Sequence, residues 1–179
     1  MSEDVAAIIE QAREARRSGR LDHALAKYKD AVASAGAAHS ASELVIALQG
    51  VGQVERDLGH LDAANDGYME AATVCRSINE PIRLAHALRH LADIQRELGQ
   101  LRSAEATVAE AIGIYRQQTA ASGLDLANAL RVCALVQESQ GQMPSAVDSW
   151  GEARALYEAA DVVEGVAECD ARIANAKRA

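Results

Sequence analysis

Apolar side chains recur along this chain at intervals of three and four, the spacing that keeps one face of a helix out of water. Ala87, Leu91, Ile94 and Leu98 form the clearest run. Four segments of one form, Gly-x-(Leu/Met)-x-x-Ala, punctuate such runs, beginning at Gly19, Gly59, Gly99 and Gly141. These glycines stand 40, 40 and 42 residues apart, and seven residues beyond the alanine of each segment comes another: Ala31, Ala71, Ala111 and Ala153. A repeat at a near-constant period governs the reading of everything else.

Each unit reads as a helix, a glycine stop and a second helix. Glycine takes the left-handed conformation that ends a helix, and the Leu or Met two places on folds back onto the last turn. Asp22 and Asp62 fall in the first turn of the second helix, where the dipole favours an anion, and Pro144 suits a first helical position. The paired alanines lie two turns apart on one face and let two helices approach closely. Between them stand Tyr28, Tyr68, Val108 and Trp150, one large side chain per repeat. Asn79-Glu80-Pro81 marks the start of a further helix. The pattern predicts helices near 4–17 and 21–35, 41–58 and 61–78, 81–98 and 101–119, 123–140 and 143–160, and a last one near 163–177. The two-residue longer spacing falls around Thr119–Ser122. The last helix is expected to cover the fourth repeat with Val166, Ile173 and Ala174, leaving Glu168, Arg172, Lys177 and Arg178 in water.

These residues resemble the tetratricopeptide repeat (TPR) family. The second repeat carries the resemblance best, through Leu48, Val51-Gly52, Gly59, Ala64, Tyr68 and Ala71. The third offers Leu88, Leu91-Ala92, Gly99, Ala104, Val108 and Ala111, and the fourth Leu130, Cys133-Ala134, Gly141, Ala146, Trp150 and Ala153. The first departs where Gln11 and Glu14 replace apolar residues, so its opening helix is expected to be a polar end-piece or to fray. The usual unit is ~34 residues; these longer ones are similar to those of kinesin light chains and bacterial peptide-responsive regulators. The resemblance implies an all-α fold, a right-handed superhelix of four helix pairs (near 4–38, 41–80, 81–120 and 123–162) with a capping helix, all in one domain spanning 1–179.

Composition narrows function more than fold. Aromatics make up 3% of the chain and the net charge is −8, which argues against stacking on single-stranded nucleic acid or binding its backbone. The opening Met1-Ser2-Glu3-Asp4 is acidic where a secretory signal is basic, and no run reaches the ~18 apolar residues of a membrane span. Cys75, Cys133 and Cys169 are odd in number and lack close spacing, so they read as small core residues in a reducing cytoplasm. The glycines are spread one per turn rather than clustered as a phosphate loop, and the carboxylates are scattered. The chain is therefore expected not to be an enzyme, and no cofactor is expected.

In the family, the first helices of the pairs line a concave groove, and the resemblance places the ligand there. Removing the apolar stripe leaves Arg13, Arg16 and Arg17 in the first repeat and Ile46, Gln49, Gln53, Arg56 and Asp57 in the second. The third contributes His86, Arg89, His90, Asp93, Arg96 and Glu97, and the fourth Asn128, Arg131, Val132, Leu135, Glu138 and Ser139. Arginine recurs on this face of an acidic chain. Two readings stand side by side. Arg13, Arg56, Arg89, Arg96 and Arg131 form a ladder for an acidic peptide or protein, gripping carboxylates through paired hydrogen bonds. Alternatively, they pair with Asp57, Asp93, Glu97 and Glu138 on their own helices. His86 and His90, with Asp93 and Glu97, have the spacing of metal ligands. Arg89 and Arg96 beside them would repel a cation, and no metal is expected. His23, His39 and His60 fall in expected turns. The competing function is self-association into a homodimer through imperfectly sealed end helices. Neither reading involves nucleic acid or a membrane.

Overall fold

A computed structural model describes residues 4–118 and 122–176. Among these residues the regular structure is helical: α1 (Val5–Arg17), α2 (Leu21–Ala37), α3 (Ala41–Asp57), α4 (Leu61–Ser77), α5 (Pro81–Glu97), α6 (Leu101–Gln117), α7 (Gly123–Ser139), α8 (Met143–Ala159) and α9 (Val163–Ala176). Helix ends agree with the expected spans to within two residues wherever both are described. The longer spacing after the third repeat lies largely outside the described residues. Its last residue, Ser122, caps α7 by accepting the Asp125 amide at 3.1 Å. Lys177 and Arg178 lie outside them as well. No helix among the described residues is long and apolar enough to cross a membrane.

The chain divides into two compact units, Met1–Ala87 and Leu88–Ala179, with the boundary inside α5. In the first unit α1 packs on α2 and α3, α2 on α3, and α3 on α4. The second helices give its core small residues and one tyrosine each: Ala24, Tyr28 and Ala31 in α2, and Ala64, Tyr68 and Ala71 in α4. Close approach is literal at α3–α4. A Cβ on Gly67 would lie 3.1 Å from the Gly52 nitrogen and 3.2 Å from its Cα. In the second unit α6 packs on α7, α7 on α8 and α8 on α9. Ala104, Val108 and Ala111 and then Ala146, Trp150 and Ala153 repeat the same register.

The first helix differs from its expected character. Helix α1 is a regular helix that buries Val5, Ile8, Ile9, Ala12 and Ala15, with Asp4 accepting the Ala6 amide at 3.3 Å. Its apolar stripe simply runs through other positions, which puts Gln11 and Glu14 on the exposed side.

Two classes of turn alternate. Within each repeat Gly19, Gly59, Gly99 and Gly141 take φ of 75°, 82°, 75° and 74°. At the second of these, the Gly59 amide donates to Arg56 O (2.9 Å) and the His60 amide to Glu55 O (2.8 Å), closing the end of α3. Between repeats the same left-handed position is filled by His39, Asn79 and Asp161, with φ of 54°, 56° and 55°. A Cβ on Gly59 would meet nothing within 4 Å, so substitution there tests the backbone alone. Gly59→Ala is expected to cost ~1–2 kcal/mol, read from the urea midpoint, with the helical circular dichroism of the folded protein unchanged.

Candidate functional site

The polar faces of the first helices are built by repeat register. In the first unit Arg16 and Asp57, on neighbouring first helices, join through Nε and Oδ2 at 2.6 Å. Gln53 donates to the other Asp57 oxygen at 3.2 Å and accepts from the Tyr68 hydroxyl at 3.4 Å. Arg13 contacts Glu10 at 3.4 Å and also reaches the Tyr28 hydroxyl, whose pKa is raised by burial against the pull of Arg13 and Arg16. Ile46, Gln49 and Arg56 are half-buried, and His86 is exposed. Beneath this face lies Glu55, 6% exposed, with Lys29 Nζ at 3.3 Å and His60 Nδ1 at 2.9 Å. Burial pushes its carboxyl up, but the bonds to His60 and Lys29 outweigh that and hold it below the usual range.

In the second unit Arg96 grips Asp93 Oδ1 through Nη2 (2.7 Å) and Nε (3.1 Å) and reaches Glu97 at 3.4 Å. Arg131 forms a two-point pair with Glu168 of α9, Nε to Oε2 at 2.7 Å and Nη2 to Oε1 at 2.9 Å. Hydrogen bonds to Glu168 raise the pKa of its guanidinium further. Asn128 accepts from the Tyr157 hydroxyl at 2.9 Å, and Leu135 is half-buried. Arg89 donates through Nη2 to His90 Nε2 at 2.9 Å. It also reaches Tyr115, whose phenol burial pushes up to about 12. The Arg89 Nε is buried and has no hydrogen-bond partner. A buried donor without an acceptor is costly; Asn65 Oδ1 and Gln140 Oε1 are buried acceptors in the same condition.

No protein-family model matches the chain, and no curated protein matches it by sequence. Solved structures do. RapI in its apo form superposes with a TM-score of 0.85 at 14% identity, over 93% of this chain and 62% of RapI. Aspartyl phosphate phosphatase F from Bacillus subtilis gives 0.84 at 11% identity, over 95% of this chain and 45% of that protein. The nearly identical TPR-like repeats assigned to a kinesin light chain of Podospora anserina give 0.69 at 13%, over 97% and 94%. The chain thus spans less than two thirds of the first of these structures and under half of the second. At these identities the likeness is one of fold. The chain has the fold of a TPR-type helical repeat.

Within the TPR frame several expectations need correction. Val132, expected on the open face, is 2% exposed, because α7 is covered on more than one side. Asp93 is 9% exposed, enclosed with its Arg96 partner rather than presented. Of the pairings foreseen along single helices, that of Arg96 with Asp93 and Glu97 is present. Asp57 pairs with Arg16, and Glu138 with Arg172 at 3.0 Å and Trp150 Nε1 at 2.8 Å. Glu168 and Arg172, placed in water by the helical pattern, therefore bridge α9 to α7 and α8. His23 lies within the first turn of α2, while His39 and His60 are in turns. Cys75 and Cys169 are buried and Cys133 half-buried, and burial raises all three thiols, Cys169 to about 11. Among the described residues no group of three or more His, Cys, Asp and Glu is arranged to hold a metal ion.

The residues missed were Tyr115, Tyr157 and Glu168. The tyrosines share one register, 42 residues apart in the second helices of the third and fourth TPR units, and that equivalence was the available signal.

Proposed function

We propose that this TPR chain is a non-catalytic binding module that captures a protein or peptide on its first-helix faces, with a preference for carboxylates. Arg13, Gln49, Gln53, Arg56 and His86 would serve in the first unit, and Arg89, His90, Arg96, Asn128, Arg131 and Leu135 in the second. One observation carries the acidic preference. The half-buried Arg89 guanidinium is held in place by His90 and Tyr115 rather than by a carboxylate, so its charge is available to an incoming one. Arg131 and Arg96 already hold carboxylates, so they contribute only if a ligand exchanges with Glu168 or Asp93. The likeness of fold to RapI and to aspartyl phosphate phosphatase F supports a repeat scaffold.

The test is fluorescence anisotropy with a labelled peptide of glutamates and its glutamine counterpart. The glutamate peptide is expected to bind, to weaken with added salt, and to lose about tenfold or more in affinity in Arg89→Gln, as the loss of one charge-assisted hydrogen bond requires. Equal binding of the two peptides, or an unchanged affinity in a normally helical Arg89→Gln protein, would remove the acidic-ligand reading.

A further inference from the structure

Two arginines at one helical position of the second unit stand in different company. Arg89 is the ninth residue of α5 and Arg131 the ninth of α7. The sixth residue of the next first helix is Asn128 for Arg89 and Glu168 for Arg131. Glu168 clasps Arg131 through both carboxylate oxygens, at 2.7 and 2.9 Å. Asn128 has no charge to offer, and its Oδ1 accepts from the Tyr157 hydroxyl at 2.9 Å. One repeat step thus sets a carboxylate where the step before sets an amide. The two guanidiniums belong to one neighbourhood: burial raises the Tyr157 phenol, and Arg131 and Arg89 both act against that rise. Asp93, which also acts on Arg131, is held by Arg96 through two hydrogen bonds. The Arg131–Glu168 pair stays partly open to water, its side chains 35% and 30% exposed, and pairs so placed contribute little to stability. Nor is it the only tether of α9. Cys169 is fully buried, and a Cβ on Gly165 would lie 2.6 Å from Tyr157 Cγ. Arg172 bonds Glu138 at 3.0 Å and Arg154 bonds Asp170 at 2.6 Å, joining α9 to α7 and α8.

We propose that Glu168 is an internal competitor for the acidic ligand, a regulation that builds on the carboxylate preference proposed for this same face. In the free protein its carboxylate occupies Arg131, and a ligand carboxylate must displace it before using that arginine together with Arg89. The ligand that gains most therefore carries two carboxylates. One meets Arg89, which holds none, and the other meets Arg131 once Glu168 has swung away. A ligand with a single carboxylate stops at Arg89 and leaves Glu168 where it is. The exchange is like for like. Arg131 keeps a two-point partner before and after, and the released Glu168, already partly exposed, returns to water. Apparent affinity falls by the fraction of time that Arg131 is occupied, so the strength of one internal pair sets the threshold for capture.

The labelled glutamate peptide is titrated by anisotropy against the full chain and its variants. Glu168→Gln keeps the size of the side chain and removes its charge. It is expected to bind the peptide about tenfold more tightly than the parent, the worth of one charge-assisted hydrogen bond gained. Arg131→Gln breaks the same pair from the other side without freeing an arginine, so no gain is expected there, nor in Glu168→Gln combined with Arg131→Gln. Asn128→Glu copies the α9 arrangement onto Arg89 and is expected to weaken the peptide about tenfold. Unchanged helical circular dichroism and a Cys169 thiol still closed to a thiol reagent verify that α9 stays in place. A Glu168→Gln protein with the parent's affinity makes the pair a strut and overturns the proposal, while the acidic-ligand reading stands as long as Arg89→Gln still loses binding. A gain that persists in the double variant traces to a loosened α9 and overturns it as well, as does unchanged binding in Asn128→Glu. Failure of the peptide to bind either the parent or Glu168→Gln removes the acidic-ligand reading and the competitor together.

Discussion

Trp150→Ala is expected to lower the unfolding free energy by about 3–5 kcal/mol, the cost typical of deleting a large buried aromatic. Trp150 is fully buried, and it is the largest side chain so placed. Its removal takes away more than contact area. Trp150 Nε1 donates to Glu138 Oε1 at 2.8 Å, the other oxygen of Glu138 holds Arg172 at 3.0 Å, and the Arg172 guanidinium lies 5.8 Å from the centre of the indole ring. One ring thus fills the α7–α8 interface and anchors the charge that ties α9 down. The variant should therefore loosen α9 as well as destabilise the core. Denaturant titration reads the first effect, and labelling of the buried Cys169 thiol, with Cys75 in the first unit as reference, reads the second. Trp150→Phe separates the parts. It keeps most of the packing and loses the N–H, so it should cost about 1.5–3 kcal/mol. If Trp150→Ala costs under 1 kcal/mol, or leaves Cys169 closed, the anchoring role assigned to the ring is wrong.

Gly50→Ala sets two rules against each other. Helix propensity favours alanine by about 1 kcal/mol in a helix interior. Packing opposes it, since a Cβ on Gly50 would fall 2.2 Å from Tyr28 Cε1, 2.4 Å from Cδ1 and 2.5 Å from Cζ. Tyr28 is 5% exposed and its ring crosses directly over α3, so the ring or the helix must move. Overpacking of this kind costs 1–3 kcal/mol, occasionally more, and the contact here is severe. A net loss of about 2 kcal/mol is expected in the urea midpoint. Gly151→Ala in α8 is the matched control: nothing lies within 4 Å of a Cβ there, so it should stabilise the protein by a few tenths to 1 kcal/mol. A stabilising Gly50→Ala would mean that α2 and α3 are less closely packed than described.

The repeat was legible because its signals are local. A glycine that must take positive φ, a leucine two places on and alanines seven apart are all properties of one short segment, and the observed turns at Gly19, Gly59, Gly99 and Gly141 use them as expected. The left-handed residues between repeats were less visible, because His39, Asn79 and Asp161 carry no common side-chain signature. The candidate ligand face was only partly legible. Helical periodicity says which side of a helix avoids its own apolar stripe, and it located Arg89, Arg96 and Arg131 on that side. It cannot say whether another helix will cover the same positions, and so it misplaced Val132 and left Asp93 open to solvent.

By itself, then, the order of residues determined the helices, their stops and the repeat that relates them, since each depends on neighbours within a few positions. Only the tertiary structure decided which charges are spent. Arg131 meets Glu168 from 37 residues away and Arg16 meets Asp57 from 41 away, pairings that the periodicity of a single helix does not specify. The same packing left Arg89 Nε without an acceptor, a consequence of how close the helices come, which is set by contact between side chains rather than by their order along the chain.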